Sequence, residues 1–249
     1  MALVEVAVMQ GVAHLQLNRP HAANAFDLET ARELATAVDA VAADPDVRAI
    51  LVTGAGPRFC AGGDVSSFAA ASDPPAYVEQ LATELDAAFR AVAAAEKPVV
   101  AAVQGAVAGA GLALMLSCDV IVSAPDARFV FAYPGIGFTP DCGLSYLLPR
   151  AVGQQRALSF ALTGKPLTAS VALEWGLVSE VADDPGARAG DLAAGFAVGP
   201  ARALGQTRRL MRHAWEMSRV QTGAEEARTI AEMVKGEEAQ ALIARFMSR

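Results

Sequence analysis

Apolar and polar residues alternate in two short stretches near the start of the chain, residues 4–10 and 12–17, on either side of Gly11. Alternation with a period of two around a glycine predicts a β-hairpin. A helical period begins after Asp27, a favourable N-cap, and ends before Asp44-Pro45. Similar patterns predict strands over 49–53, 99–103, 120–123 and 128–131, and helices over 75–95, 110–117, 144–150, 154–162 and 169–175, with Gly176 as a C-cap.

The pattern changes after Val181, where only helical periods remain. A turn-forming Asp-Asp-Pro-Gly sequence at residues 183–186 marks the change. We therefore divide the chain into an α/β core over residues 1–186 and a helical C-terminal region over residues 187–249. No linker separates the two parts, so we expect one folding unit.

Residues 98–118 carry no charge and are numerous enough to suggest a membrane span. Gln104 and a cluster of glycines interrupt this segment, which favours a strand, a turn and a buried helix instead. We expect no membrane partner. The first ten residues lack the basic and apolar regions of a signal peptide, and their alternation predicts a strand.

Composition and charge narrow the classes of function. The 249 residues are 53% hydrophobic but only 6% aromatic, which suffices for a large core built mainly from Ala, Val and Leu. A net charge of −7 without a Lys/Arg run argues against nucleic acid as a partner. Cys60, Cys118 and Cys142 form neither a metal-binding pattern nor a disulfide framework, so we expect no metal and a cytoplasmic location.

Two segments of the chain share the same sequence pattern. Residues 49–54 and 98–105 are each a buried strand ending in glycine, and glycine-rich turns follow at residues 61–64 and 108–111. If the two units stack side by side, their turns present backbone N–H groups to one point, where they could stabilise a developing oxyanion. Ordinary strand-to-helix turns explain the same spacing. Neither turn continues as a phosphate-binding or dinucleotide-binding loop, which argues against an NAD-dependent enzyme.

A longer series of motifs carries a family resemblance. The segments are Leu-Asn-Arg-Pro at 17–20, Asn-Ala-Phe at 24–26, Arg-Phe-Cys-Ala-Gly-Gly-Asp-Val at 58–65, Lys-Pro-Val-Val-Ala-Ala-Val-Gln-Gly at 97–105, and Pro-Gly-Ile-Gly-Phe-Thr-Pro-Asp at 134–141. Because these motifs follow one another in this order, the chain resembles the crotonase (enoyl-CoA hydratase/isomerase) superfamily. The resemblance implies a spiral of ββα repeats with a C-terminal helical region for trimerisation. It also implies a homotrimer or a dimer of trimers.

The resemblance places an acyl-CoA thioester substrate on this chain, with coenzyme A as part of the substrate and no permanently bound cofactor. The N–H groups of Gly63 and Ala110 would form the oxyanion hole, although the family usually has glycine where Ala110 stands. Coenzyme A would lie along residues 19–24 and 58–67, with its adenine near Ala22 and Ala61. The implied substrate-binding residues are Arg19, Ala22, Asn24, Arg58, Ala61, Gly62, Asp64, Val65, Gly109 and Tyr133.

The catalytic acids depart from the hydratase pattern. Hydratases of this superfamily carry two glutamates, which would fall at Ala113 and Tyr133. Adding water across a double bond uses paired carboxylates, so an ordinary hydratase is disfavoured. Asp141 stands where isomerase branches, such as the phenylacetate-pathway enzymes, carry a catalytic carboxylate. One carboxylate is sufficient to move a double bond while an oxyanion hole holds the enolate. Tyr133 is expected to pack in the acyl pocket or to hydrogen-bond near Asp141.

Other interpretations of these residues stay open. Thr139, Pro140 and Asp141 are also compatible with an ordinary helix start. The chain could be a hydratase with atypical acids or a non-catalytic acyl-CoA-binding homologue. A dehalogenase using Asp141 as nucleophile would need a histidine base, and the sequence has none between His21 and His213. Asp64 is expected to cap the following helix, Asp119 to be structural, and Cys60 and Cys142 to be small buried residues.

Overall fold

The computed structural model describes residues 2–248, and its main sheet contains six strands in the order β1-β2-β3-β4-β6-β9. β1 and β2 form the predicted antiparallel hairpin, whereas the pairs from β2 to β9 are parallel. A smaller sheet has the order β5-β7-β8. The strands are β1 (Val4–Met9), β2 (Val12–Leu17), β3 (Ala49–Gly54), β4 (Val99–Val103), β5 (Ala106–Ala108), β6 (Val120–Ser123), β7 (Arg128–Val130), β8 (Leu167–Thr168) and β9 (Glu180–Val181).

The chain winds through both sheets in successive turns. After β2 it reaches Phe26, which forms a parallel bridge with Gly63, and after β3 it reaches Cys60, which bridges to Val107 in β5. The next two turns run from β4 into β5 and from β6 into β7, and β5 and β7 are again parallel. Each turn thus contributes a strand to the main sheet and a strand or a bridge residue to the second layer, which gives the spiral of ββα repeats that the resemblance implies.

Helices connect and cover these layers. They are α1 (Leu28–Ala43), α2 (Val65–Ala70), α3 (Pro74–Ala94), α4 (Ala110–Ser117), α5 (Leu144–Val152), α6 (Gln154–Thr163), α7 (Ala169–Trp175), α8 (Pro185–Val198), α9 (Ala201–His213), α10 (Arg219–Met233) and α11 (Glu237–Met247). α1 begins as predicted, because the Asp27 carboxylate accepts a hydrogen bond from the backbone N–H of Thr30. Its buried positions recur at Ala31, Leu34, Val38 and Val41, so one stripe of α1 faces the core.

The opposite face of the main sheet is covered by α8. Ala189, Ala193 and Ala197 form a stripe of small side chains along this helix, and they pack on Val100 and Val122 of the sheet. Small residues let a helix lie close to the strands. The predicted division between residues 186 and 187 falls inside α8, whose packing makes it part of the α/β core.

A partly buried ion-pair cluster attaches α9 to the core. Asp119 accepts hydrogen bonds from Arg208 (2.5 Å) and Arg212 (2.8 Å), and it also accepts one from the backbone N–H of Val99. Arg208 is almost fully buried and donates to carbonyl groups at the end of α3, including that of Val92 at 2.8 Å. Such donation satisfies carbonyls that a helix end leaves without partners. The expected structural role of Asp119 is confirmed.

Within residues 2–248, no helix is long and apolar enough to cross a bilayer. The charge-free segment at residues 98–118 instead forms β4, β5 and α4, and all of α4 is buried. The strands β5, β8 and β9 were not predicted. Two or three residues are too few to show a period of two, so these strands depend on their neighbours in the sheet.

Candidate active site

The two glycine-rich turns lie in contact. The backbone N–H of Ala108 donates to the carbonyl of Cys60 at 2.9 Å, which fixes the second turn against the first. Gly62 has φ +98°, and a side chain there would approach the carbonyl oxygen of Ala108 to 3.0 Å and the nitrogen of Ala110 to 3.3 Å. Only glycine accommodates both this backbone conformation and this separation. The side-by-side stacking expected from the shared sequence pattern is therefore present.

The backbone amides of Gly63 and Ala110, one in each turn, are free to donate. Around Gly63, the N–H of Phe26 donates to the carbonyl of Gly62 and the N–H of Asp64 donates to that of Phe26, both at 2.8 Å. The N–H of Gly63 itself has no acceptor within residues 2–248, and neither has the N–H of Ala110. Ala110 is the first residue of α4, so its N–H lies at the positive end of a buried helix.

Both amides belong to residues that line one cavity of about 470 Å³. The wall formed by α3 is mainly apolar, with Val78, Leu81 and Leu85 facing the cavity, and Phe68 of α2 lines it as well. Asp141 and Tyr133 complete the lining on the side of the segment between β7 and α5. The cavity thus combines two backbone donors, one carboxylate and an apolar chamber.

Asp141 is held by Tyr133. The phenol hydroxyl donates to Oδ1 of Asp141 at 2.6 Å, and the Tyr133 side chain is buried. Burial, together with the neighbouring charge of Asp141, raises the pKa of Tyr133 well above its usual range. Tyr133 therefore stays protonated and donates to the carboxylate, leaving Oδ2 of Asp141 for another partner. This is one of the two roles expected for Tyr133.

The segment that carries Asp141 is not a helix start, so that alternative is wrong. α5 begins only at Leu144, after Cys142 and Gly143, which have φ values of +50° and +73°. Two consecutive left-handed residues keep Asp141 outside the helix, because a right-handed helix cannot include them. A left-handed conformation costs free energy at a non-glycine residue such as Cys142, and such conformations cluster at functional sites.

Comparison with known proteins agrees with this architecture. The family model for Enoyl-CoA hydratase/isomerase matches residues 7–249. The chain belongs to this family. The 1,2-epoxyphenylacetyl-CoA isomerase of Escherichia coli is 40% identical over 181 residues, which are 71% of this chain and 68% of that protein. "Probable enoyl-CoA hydratase EchA14" of Mycobacterium tuberculosis is 39% identical over 84% of this chain and 81% of its own. A solved enoyl-CoA hydratase from Polaromonas matches with a TM-score of 0.93 at 29% identity, covering 98% of this chain and 96% of that one.

Two of the substrate-binding residues implied by the family resemblance, Arg19 and Asn24, instead make structural contacts with the loops around the cavity. Arg19 donates to the carbonyl of Ala25 and forms ion pairs with Asp27 (3.1 Å) and Asp64 (3.0 Å). The Asn24 side-chain amide donates to three backbone carbonyls between residues 55 and 59 and is almost fully buried. These contacts tie the loop at residues 19–24 to the loop at residues 55–64, so both side chains brace the turns.

The other predicted site residues differ in whether they line the cavity and in how exposed they are. Ala61, Val65 and Gly109 line the cavity, Ala22 is half-buried, and Arg58 is exposed on the loop before the first turn. Asp64 caps α2 as predicted, since its carboxylate accepts from the backbone N–H of Ser66 at 3.1 Å.

The two cysteines near the site behave as small buried residues, as expected. Both Cys60 and Cys142 are buried. Burial raises the pKa of the Cys60 thiol to about 12, and burial together with the charge of Asp141 raises the pKa of Cys142 further. Both thiols therefore stay protonated and fill space beside the turns.

The contribution of α3 was missed by sequence reasoning. Val78, Glu79, Leu81, Ala82 and Leu85 face the cavity from this helix. The helical period of residues 75–95 shows which face of α3 is apolar, but it does not show which element covers that face. The packing of α2 and α3 on the turns depends on contacts between residues distant in sequence, and no local motif predicts such contacts.

Proposed function

We propose that the protein moves a carbon–carbon double bond in an enoyl-CoA thioester, with Asp141 as the single acid/base. The observation that carries this proposal is that the Asp141 carboxylate lines the same cavity as the free N–H groups of Gly63 and Ala110. Coenzyme A enters as part of the substrate, and the reaction needs no oxidant, metal or permanently bound cofactor.

The chemistry follows from the groups in the cavity. The thioester oxygen accepts hydrogen bonds from the N–H groups of Gly63 and Ala110, which stabilise negative charge on that oxygen. On a 3-enoyl thioester, Asp141 removes a proton from C2, and the electron pair moves into a dienolate. Asp141 then returns the proton to C4, which leaves the double bond between C2 and C3. Tyr133 holds one carboxylate oxygen throughout and so orients the other towards the substrate.

Hydration is the second candidate, and the family includes proteins named as hydratases. At the two positions where hydratases of the superfamily carry glutamates, this chain has the fully buried Ala113 and the hydrogen-bonded Tyr133. A single carboxylate cannot both orient water and protonate the adjacent carbon in the usual two-acid way. The Escherichia coli relative is named as the isomerase of an epoxide, which favours isomerisation over addition of water without specifying the bond that moves. We expect crotonyl-CoA hydration to turn over more slowly than about 1 per second.

Asp141→Asn tests the proposal, because it keeps the side-chain shape and removes the base. Migration of the double bond in a 3-enoyl-CoA should slow by about 100- to 10,000-fold, the usual contribution of positioned proton transfer. The affinity for a saturated acyl-CoA should persist, since the two backbone donors are unchanged. Full activity in the variant would rule out the role of Asp141. No migration by the wild-type protein across a panel of enoyl thioesters would instead favour a non-catalytic acyl-CoA-binding protein.

We also propose a homotrimer or a dimer of trimers. The C-terminal helices support this, because α10 and α11 expose large apolar side chains, among them Val220, Ile230, Phe246 and Met247. Exposed apolar surface on this scale usually marks an interaction face. Light scattering at micromolar concentration should give three or six times the chain mass, and a monomer would contradict the assembly.

A further inference from the structure

Glu79 is a second carboxylate of the cavity, and neither the proposed reaction nor the family motifs use it. It lies on α3, lines the same cavity as Asp141 and is exposed to solvent at its edge. Within residues 2–248 its carboxylate has no ion-pair partner and no side-chain hydrogen bond. The cavity lining contains no Lys, Arg or His among these residues. The charged residues of this lining are therefore Asp141 and Glu79, both acidic.

The surroundings of Glu79 make this charge effective. The same cavity is also lined by the apolar side chains of Val65, Phe68, Val78 and Phe138. The rings of Phe68 and Phe138 are stacked, with their centres 6.2 Å apart. Apolar walls offer a charged acyl end no hydrogen bond in exchange for its lost hydration. Because Glu79 is exposed, solvent screens its charge in part, so the repulsion acts on an acyl carboxylate in addition to this lost hydration.

We infer that Glu79 is a specificity-determining residue that excludes acyl groups ending in a carboxylate, so that the site takes uncharged acyl chains. The inference rests on the proposed function insofar as the cavity is the acyl site of a coenzyme A thioester. A terminal carboxylate on the substrate meets the charge of Glu79 and loses its own hydration. An uncharged chain of the same length meets neither cost and gains contact with the apolar wall.

A pair of saturated thioesters separates this effect from catalysis. Hexanoyl-CoA and adipoyl-CoA have acyl chains of six carbons and differ in the terminal carboxylate, and neither contains a double bond that could migrate. Calorimetric titration of the full-length protein gives the ratio of the two dissociation constants. We expect the wild-type ratio to favour hexanoyl-CoA by about 10-fold or more, through repulsion and desolvation together.

The variants Glu79→Gln and Glu79→Lys change the charge at one position. Glu79→Gln should reduce the ratio by about 3- to 10-fold, because it removes the repulsion and leaves the desolvation. Glu79→Lys should reduce it further. Glu226→Gln is the matched control: Glu226 is an exposed glutamate of α10 outside the cavity, so the same change in net charge there should leave the ratio as in the wild type.

Salt provides a readout that a purely structural role would not give. Because Glu79 is exposed, raising the ionic strength from about 0.01 M to 0.5 M should narrow the wild-type ratio, whereas the Glu79→Gln ratio should respond less. An unchanged ratio in Glu79→Gln, or an equal change for both thioesters, would overturn the inference while leaving the proposed isomerisation intact. If neither thioester bound, the acyl-CoA site itself would be refuted, and the inference with it. Conversely, loss of the proposed reaction would leave a measured selectivity standing.

Discussion

The two sides of the cavity are built in different ways. On one side the functional groups are backbone amides, and their positions follow from the pairing of neighbouring strands and the contact between Gly62 and the turn at residues 108–111. On the other side they are the side chains of Asp141 and Tyr133, on an irregular segment between β7 and α5. The backbone side depends on the fold and tolerates changes of side chain. The chemistry of the other side, which depends on the side chains of Asp141 and Tyr133, can change through a single substitution.

After that of Asp141→Asn, the largest effect should come from removing a backbone donor without disturbing the fold. Ala110→Pro does this, because Ala110 is the first residue of α4, a helix position that proline favours, and proline has no N–H. Loss of one oxyanion donor typically lowers kcat by about 100- to 1,000-fold. The measurement is the rate of double-bond migration, with circular dichroism and the thermal midpoint to show that the variant folds. A folded variant with kcat within tenfold of the wild type would show that this amide does not contact the thioester oxygen.

Much of the backbone side could be predicted from the sequence. The strands ending at Gly54 and near Gly105 and the turns after them are local patterns, and their similarity implied side-by-side stacking. The bounds of α4, with Ala110 as its first residue, agree with the prediction because a glycine turn precedes it and Cys118-Asp119 ends it. The identity of residue 110 matters little to such a site, since the donor belongs to the main chain.

Less of the side-chain side could be predicted. The start of α5 at Leu144 agrees with the helix predicted over residues 144–150, but the sequence also left open a helix start at Thr139-Pro140-Asp141, which the left-handed residues Cys142 and Gly143 prevent. A cysteine rarely adopts the left-handed backbone conformation, so local sequence propensity does not predict it at Cys142. Glu79 was missed for a related reason, because its place in the cavity depends on how α3 docks over the turns.

An intermediate effect should follow from Tyr133→Phe. The variant keeps the ring, which packs on Phe131 with ring centres 5.3 Å apart, and loses the hydrogen bond to Asp141. A hydrogen bond to a charged group is typically worth about 1.5–3 kcal/mol, so kcat should fall by about 10- to 100-fold while KM changes much less. Tyr146→Phe is the matched control, since Tyr146 is an exposed tyrosine of α5 whose ring packs on Arg150. A change in KM alone would mean that Tyr133 shapes the acyl pocket without orienting Asp141.

The smallest effect should come from Ala110→Gly, and it is the strictest test of the difference between the two sides. This substitution leaves the N–H in place and changes only the side chain, giving the residue that the family usually has. If the oxyanion site is purely a backbone site, kcat should change by less than about threefold. The thermal midpoint should fall slightly, because glycine in a helix costs up to about 1 kcal/mol relative to alanine. Steady-state rates and thermal melts of Ala110→Gly and Ala110→Pro should be compared side by side. A large loss in the glycine variant would mean that the Ala110 methyl group itself positions the acyl chain, and that side chains also determine the geometry of the backbone side.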